Sequence, residues 1–261
     1  MRATLMQQIL GEGGISVLFQ PIYAVDGGRA SVFALEALAR GPKGSNVEPA
    51  NVLFEYVRRK GKETEVDRTC VAAVLKAAAS IALPAGSLVA RPAISINVHA
   101  ATLEQDDDFA RFLLDQCAVH GIEVTRLILE IVEQQQYWDD VRFFRTMNTL
   151  RAAGVRIALD DIGLGYSNYR TLIEVRPDFY KIDRYFVTGS RQKDNARAAI
   201  ESIVLLATRL GGRAIAEGVE AADDLSTVRE LGIDLVQGFH LAMPQPASAL
   251  TDKTYAKEIC A

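Results

Sequence analysis

Eight short apolar runs, most of them separated by stretches with helical spacing, constrain this chain more than any other feature. They read "VLFQPIYAV" from Val17, "VFALEALA" from Val32, "AISINV" from Ala93, "RLILEIV" from Arg126, "RIALDDI" from Arg156, "FYKID" from Phe179, "RAIAEGV" from Arg213 and "DLVQGF" from Asp234. Runs of this length and composition predict strands. Between them, "WDDVRFFRTMNTLRAAG" repeats Val141, Phe144, Met147 and Leu150 at helical intervals and closes on Gly154. "NARAAIESIVLLATRLGG" closes on Gly211 and Gly212 in the same way. Eight strands with intervening helices predict an α/β fold, a TIM-like (β/α)8 barrel rather than an open sheet. One junction departs from the pattern. Only "DGGRAS" joins the first two runs, a hairpin signal that makes the first strand antiparallel to the second. No internal repeat or low-complexity linker interrupts the 261 residues, so one domain over 1–261, with a core at about 17–250, is expected.

The strands carry polar groups at or near their C-terminal ends: Glu36, Asn97, Glu130, the pair Asp160–Asp161, Lys181, Glu217 and Gln237. In a closed parallel barrel these ends converge on the face where active sites of the fold sit. Uncompensated carboxylates at that density repel one another and take up protons. A divalent cation relieves this. An all-oxygen donor set suits Mg²⁺, Mn²⁺ or Ca²⁺, whereas zinc and copper prefer His and Cys, and the three histidines (His99, His120, His240) have no paired ligand spacing. Two adjacent aspartates cannot both face the inside of a regular strand. At a strand end followed by "GLG" the chain can bend, so both carboxylates reach one cluster, with Asp160 bridging two cations and Asp161 serving the second. The residues alone leave the reaction open between phosphoester hydrolysis and an enolisation that uses a lysine base.

Bulk properties narrow the classes. A net charge of −4 gives no sign of a groove for a DNA or RNA polymer. Cys70, Cys117 and Cys260 are scattered and odd in number, which fits a reducing cytoplasm and no disulfide framework. The start "MRATLMQQIL" lacks the apolar core of a signal peptide. "VAAVLKAAASIAL", residues 71–83, contains Lys76 and is too short to span a bilayer, so it reads as a buried helix and no membrane segment is expected.

The ordered motifs resemble those of the EAL-domain cyclic-di-GMP phosphodiesterases. "EAL" stands at Glu36–Leu38 inside "ALEALAR", and the resemblance runs from "FQPI" at Phe19 to "QGFHLAMP" ending at Pro244. It includes "SINV", "LEIVE", "ALDDIGLGYSN", "KIDRYFV" and "AEGVE" in order and spacing. It implies a TIM-like barrel with its first strand antiparallel, and hydrolysis of one phosphodiester bond of cyclic-di-GMP to linear pGpG with Mg²⁺ or Mn²⁺, two per site. Ca²⁺ is expected to bind without turnover. By motif, Glu36, Asn97, Glu130 and Asp160 would hold one metal, and Asp160, Asp161 and Glu217 the other. Lys181 would contact the attacking water and Gln237 the second metal's waters. Arg40 would pair with a substrate phosphate, Gln20 would lie by the substrate, and Glu220, a further acid, would also lie on the substrate side. Glu133 would anchor the loop after the aspartate pair, which in the family couples catalysis to a homodimer.

The chain departs from the family pattern at that loop. Ile162 stands where Phe is usual, Leu164 for Thr, Asn168 for Ser, and Val132 for the Thr of "ELTE". His240 follows "QGF" where a larger apolar residue is usual, and reads as a pocket-rim residue. Family members that bind cyclic-di-GMP without cleaving it, or serve as interaction modules, typically lose metal ligands. This chain keeps the full set.

Overall fold

A computed structural model of the chain describes residues 3–81, 91–132, 141–164 and 169–258. Its centre is a closed barrel of eight strands. These are β1 (Ser16–Asp26), β2 (Arg29–Arg40), β3 (Ala93–His99), β4 (Leu127–Val132), β5 (Arg156–Ile162), β6 (Phe179–Ile182), β7 (Arg213–Ala216) and β8 (Leu235–Val236). Neighbours pair in chain order, and β8 returns to β1 to close the ring. Strand β1 is antiparallel to both β2 and β8, and the remaining pairs of the ring are parallel. The expected barrel with a reversed first strand is therefore present. The reversal follows from the turn. Gly27 and Gly28 both take positive φ (51° and 86°), the conformation a two-residue hairpin loop needs and which glycine adopts without a Cβ clash.

Helices fill the connections, among them Glu63–Ala79 before β3, Phe109–His120 before β4, Val141–Ala152 before β5, Asp194–Arg209 before β7 and Ala222–Glu230 before β8. Outward-facing strand residues such as Leu35, Ile96, Ile131 and Leu159 pack with helix residues such as Val71, Leu113 and Leu150 in the main core. Residues 71–79 of the alanine-rich segment lie in helix Glu63–Ala79, which buries one face through Val71, Val74, Leu75 and Ala78 and exposes Lys76. The helix ends before Ser80, short of the expected span, and residues 82 and 83 lie outside the described residues. Helix Val141–Ala152 corrects one expectation. Val141 is 80% exposed, and the face turned inward is Phe143, Thr146, Met147 and Leu150. Starting the apolar stripe at Phe143 gives the i, i+3/i+4, i+7 spacing that the burial follows.

A ninth strand, β9 (Ala256–Glu258), pairs antiparallel with the start of β2. It is too short and too polar to stand out in the sequence. Among the described residues, no helix is long and apolar enough to cross a membrane.

The barrel interior is layered. Ile22, Ala34, Ala93, Ile128, Ala158, Phe179, Ile215 and Leu235, one from each of the eight strands, form a separate apolar cluster. Side chains alternate faces along a strand, so the residue two positions on points into the barrel again. On the seven parallel strands that residue is Glu36, Ser95, Glu130, Asp160, Lys181, Glu217 and Gln237. On reversed β1 it is Gln20, two positions back. Every one is polar.

Candidate functional site

This polar ring closes around one ammonium group. Lys181 is 1% exposed, and its Nζ lies 2.7 Å from Glu130 Oε2, 2.8 Å from Glu217 Oε1, 3.0 Å from Asp160 Oδ1 and 3.5 Å from Glu36 Oε1. Ser95 Oγ donates to Glu130 Oε1. Asn97 Nδ2 donates to Glu36 Oε1 at 3.2 Å. Gln237 Nε2 donates to Glu36 Oε2 at 2.5 Å and to Gln20 Oε1 at 3.1 Å. Gln20 Nε2 in turn donates to the carbonyl of Ala242 at 3.0 Å. Gln20 and Glu36 are direct partners in the β1–β2 register, which explains how residues far apart in family motifs share one network. Glu217 and Gln237 lie just past β7 and β8, where backbone bonds keep them in place: Glu217 N to Ile182 O at 3.0 Å, and Gln237 N to Ala216 O at 2.8 Å.

The aspartate pair bends the backbone earlier than expected. The left-handed residue is Asp161 itself, with φ of 52°, where the β5–β6 register shifts between Leu159 and Ile162. Gly163 follows at φ 98°, and a Cβ there would meet the Phe186 ring at 2.5 Å, so glycine alone fits. The irregularity breaks strict alternation. One oxygen each from Asp160, Asp161 and Glu217 then come within 4.8 Å of one another. A non-glycine residue at positive φ is uncommon and costs backbone energy, a feature often found at working sites. Ile162, at the position of the family's Phe, is buried and pairs in register with Ile182, so the smaller side chain is accommodated in the barrel wall.

Protonation reflects the crowding. Burial pushes the Glu130 carboxyl up to about 8, against the pull of Lys181 and with the help of Glu36 and Asp160. Burial likewise drives Glu217 well above the carboxylate range, against Lys181 and with Asp160 and Glu36 adding to it. Asp161 rises to about 6 through burial and the charges of Asp160 and Asp183. Glu36 moves down, because Lys181, Gln237 and Asn97 together outweigh its burial. Burial would lower Lys181, yet Asp160, Glu130, Glu217 and Glu36 hold it well above its ordinary value. One ammonium is too little positive charge for five carboxylates, and the excess appears as bound protons.

The donor set fits divalent cations of the oxygen-seeking kind. It offers carboxylates and amides only, and two of its buried oxygens accept no hydrogen bond. Of these only Gln237 Oε1 is without any partner, since Asp160 Oδ1 keeps its ion contact to Lys181 at 3.0 Å and is open to a cation alongside it. Glu36, Asn97, Glu130, Asp160, Asp161 and Glu217 are thus brought together or adjacent through Lys181.

Two cavities open on this cluster and share Glu36. One, of about 240 Å³, is lined by Glu36, Arg40, Phe54, Asn97, His99, Val132 and Asp160 among others. The second, of about 190 Å³, is lined by Gln20, Asp183, Glu217, Glu220, Gln237 and Phe239 among others. Arg40 and Glu220, the expected substrate contacts, fall in different cavities. Phe239 lines the second cavity, and the adjacent His240 is exposed. Glu133 and residues 165–168, the expected loop anchor and loop end, lie outside the described residues. Two site residues escaped the sequence reading. Ser95 was legible as the residue two before Asn97, on the same face. Asp183, two after Lys181, lies close enough to Asp161 to raise its carboxyl and lines the second cavity.

Comparison with known proteins identifies the family and the fold. The EAL domain family model matches residues 2–244. The chain is 27% identical over 251 residues to the cyclic di-GMP phosphodiesterase NbdA of Pseudomonas aeruginosa, across 95% of this chain and 31% of that protein. It is 25% identical over 248 residues to the oxygen sensor protein DosP of Escherichia coli, across 94% of this chain and 30% of that protein. The chain thus spans under a third of the length of these two relatives. Among solved structures, BlrP1 of Klebsiella pneumoniae in its manganese/cy-diGMP complex is similar at 25% identity and a TM-score of 0.76, over 90% of this chain and 57% of that one. The PaMucR phosphodiesterase in its c-di-GMP complex shares the fold, with 24% identity and a TM-score of 0.81 over 94% of this chain and 98% of that one.

Proposed function

Because the chain belongs to the EAL domain family, we propose that it hydrolyses one phosphodiester bond of cyclic-di-GMP to linear pGpG, in the presence of Mg²⁺ or Mn²⁺. The observation that carries the reading is the ring of Glu36, Glu130, Asp160 and Glu217 around Lys181, with Asp161 beside it. The two cavities flanking that ring support it further, since a cyclic dinucleotide carries two bases on either side of its phosphates. NbdA's name and the titles of the complexes above are of the same substrate class.

In this reading Glu36, Asn97, Glu130 and Asp160 hold one cation, and Asp160, Asp161 and Glu217 a second. When bound, such a pair lowers the pKa of a water and offsets negative charge on the phosphoryl oxygens. Lys181 keeps a fixed positive charge at the centre and orients the attacking water by hydrogen bonding. Ser95, Asn97 and Gln237 fix the carboxylates so that no reorganisation is needed during reaction. Arg40 makes no ion pair among the described residues, donating to the carbonyl of Ala39, so its planar fork is free for a phosphate. Water adds to phosphorus, the P–O3′ bond breaks, and the ring opens to a 5′-phosphate and a 3′-hydroxyl.

The test is to incubate the protein with cyclic-di-GMP in Mg²⁺, Mn²⁺ or EDTA and separate the nucleotides by chromatography. The reading expects pGpG with either metal and none with EDTA. Intact substrate in every condition, with saturable binding, would instead make the chain a receptor.

A further inference from the structure

His99 carries an inference that rests on the proposed function and sharpens it. It ends β3, two residues past Asn97 on the same strand face, and is 5% exposed. Its ring is held by Asp67 and Phe54, and Asp67 is itself fixed by two further hydrogen bonds. Nδ1 lies 2.8 Å from Asp67 Oδ1, and the backbone N–H of His99 donates to Asp67 Oδ2 at 2.9 Å. Thr102 Oγ1 donates to the same Asp67 oxygen at 2.5 Å. The Phe54 ring meets the imidazole edge-on, with centroids 5.4 Å apart. Among the described residues no hydrogen-bond partner meets the other ring nitrogen, Nε2. The residue lines the 240 Å³ cavity that also holds Glu36, Asn97, Asp160 and Arg40.

A buried, rigidly oriented imidazole with one idle nitrogen is a recognition element in search of a polar edge. The rest of the cavity wall decides the kind of edge. Ala39, Phe54, Val74, Ile96 and Val98 make the slot apolar, which suits a flat ring and penalises a desolvated phosphate. We infer that His99 Nε2 reads the purine edge of the guanine on the Arg40 side of the dinucleotide. Guanine offers O6 beside N1–H, an acceptor next to a donor, so the contact forms whether or not Nε2 carries a proton. Arg40 at the same cavity takes the adjoining phosphate, and the carboxylate cluster takes the reacting one. Asp67 is then a positioning residue that fixes the imidazole.

The test compares two substrates on the same samples in Mn²⁺: cyclic-di-GMP, and bis(p-nitrophenyl) phosphate, a phosphodiester without a base. Because both are measured on one preparation, the ratio of kcat/KM values cancels the fraction of protein that is folded. For His99→Phe, which keeps a ring against Phe54 and removes both nitrogens, the ratio is expected to fall by about tenfold, the effect of one hydrogen bond, mainly through KM for cyclic-di-GMP. His99→Gln, with a polar end, should recover part of it. Equal losses on both substrates, or none, would overturn the His99 assignment while leaving the proposed function standing. Wild-type protein that cleaves bis(p-nitrophenyl) phosphate and neither binds nor cleaves cyclic-di-GMP would overturn both.

Discussion

The apolar cluster of Ile22, Ala34, Ala93, Ile128, Ala158, Phe179, Ile215 and Leu235 and the polar ring of Gln20, Glu36, Ser95, Glu130, Asp160, Lys181, Glu217 and Gln237 lie two residues apart on the same eight strands. They share a backbone geometry and face the same interior. They differ only in side-chain chemistry, and that difference divides the labour of the barrel. The lower layer removes apolar surface from water, at roughly 25 cal/mol per Å². The upper layer buries charge that one ammonium cannot balance, and its carboxyls respond by holding protons. Stability is gathered in one ring, and reactivity is stored in the next.

The largest expected contrast comes from Glu36→Ala. It should lower kcat/KM for cyclic-di-GMP by at least about a thousandfold, or about 4 kcal/mol of transition-state stabilisation. Because Lys181, Gln237 and Asn97 favour the charged form of Glu36, its removal also takes away native contacts, so activity is compared per folded fraction. An unchanged kcat/KM of the folded fraction would contradict the assignment of Glu36 to the cation site. Ile128→Ala should do the reverse. Truncating a fully buried side chain should cost about 3 kcal/mol in denaturant unfolding and leave kcat of the folded fraction close to wild type. A large kcat effect there would mean that the two layers are not separable.

Ser95→Ala sharpens the comparison within the polar ring. Losing the hydrogen bond to Glu130 should lower kcat by about tenfold, a typical effect for a group that orients a metal ligand. An unchanged kcat would assign Ser95 to packing. The smallest effect is on the pH profile of the metal-free protein. Glu130 is pushed up to about 8, above its value near 4.3 in the unfolded chain. The folded state then binds more protons than the unfolded one across that window. Its contribution to stability is present at low pH and is lost as pH rises toward 8. Asp161, pushed up to about 6, adds in the same direction over the lower part of the window. Thermal melts in EDTA should therefore decline from pH 6 to pH 8, and the stabilisation gained on adding Mn²⁺ should grow over the same range. A metal-induced gain that shrinks with rising pH would contradict the protonation scheme.

Much of this was legible in the sequence because period two and apolar runs are local signals. All eight strands and the hairpin reversal follow from them, as does the polar identity of the strand ends. What escaped depends on through-space geometry. Ser95 looks like an ordinary strand serine until the β3–β4 pairing sets it beside Glu130. The bend at Asp161 is invisible because the sequence places glycines at Gly163 and Gly165 and suggests bending there, while the left-handed residue comes two positions earlier, inside the register shift. His99 reads as a solitary histidine. Its partner Asp67 is thirty-two positions away on a helix, and only packing of that helix on β3 joins them. Strand β9 is three residues long, two of them charged, below what any pattern can register.

The claim that the polar ring is built for cations is tested most directly by equilibrium dialysis of metal-free protein against Mn²⁺ at pH 8, with bound metal quantified for wild type and for Asp160→Ala. The account predicts two Mn²⁺ per wild-type chain, and the loss of at least one when the shared carboxylate is removed. Wild-type protein that binds none, or binding unaffected by removal of Asp160, would contradict it.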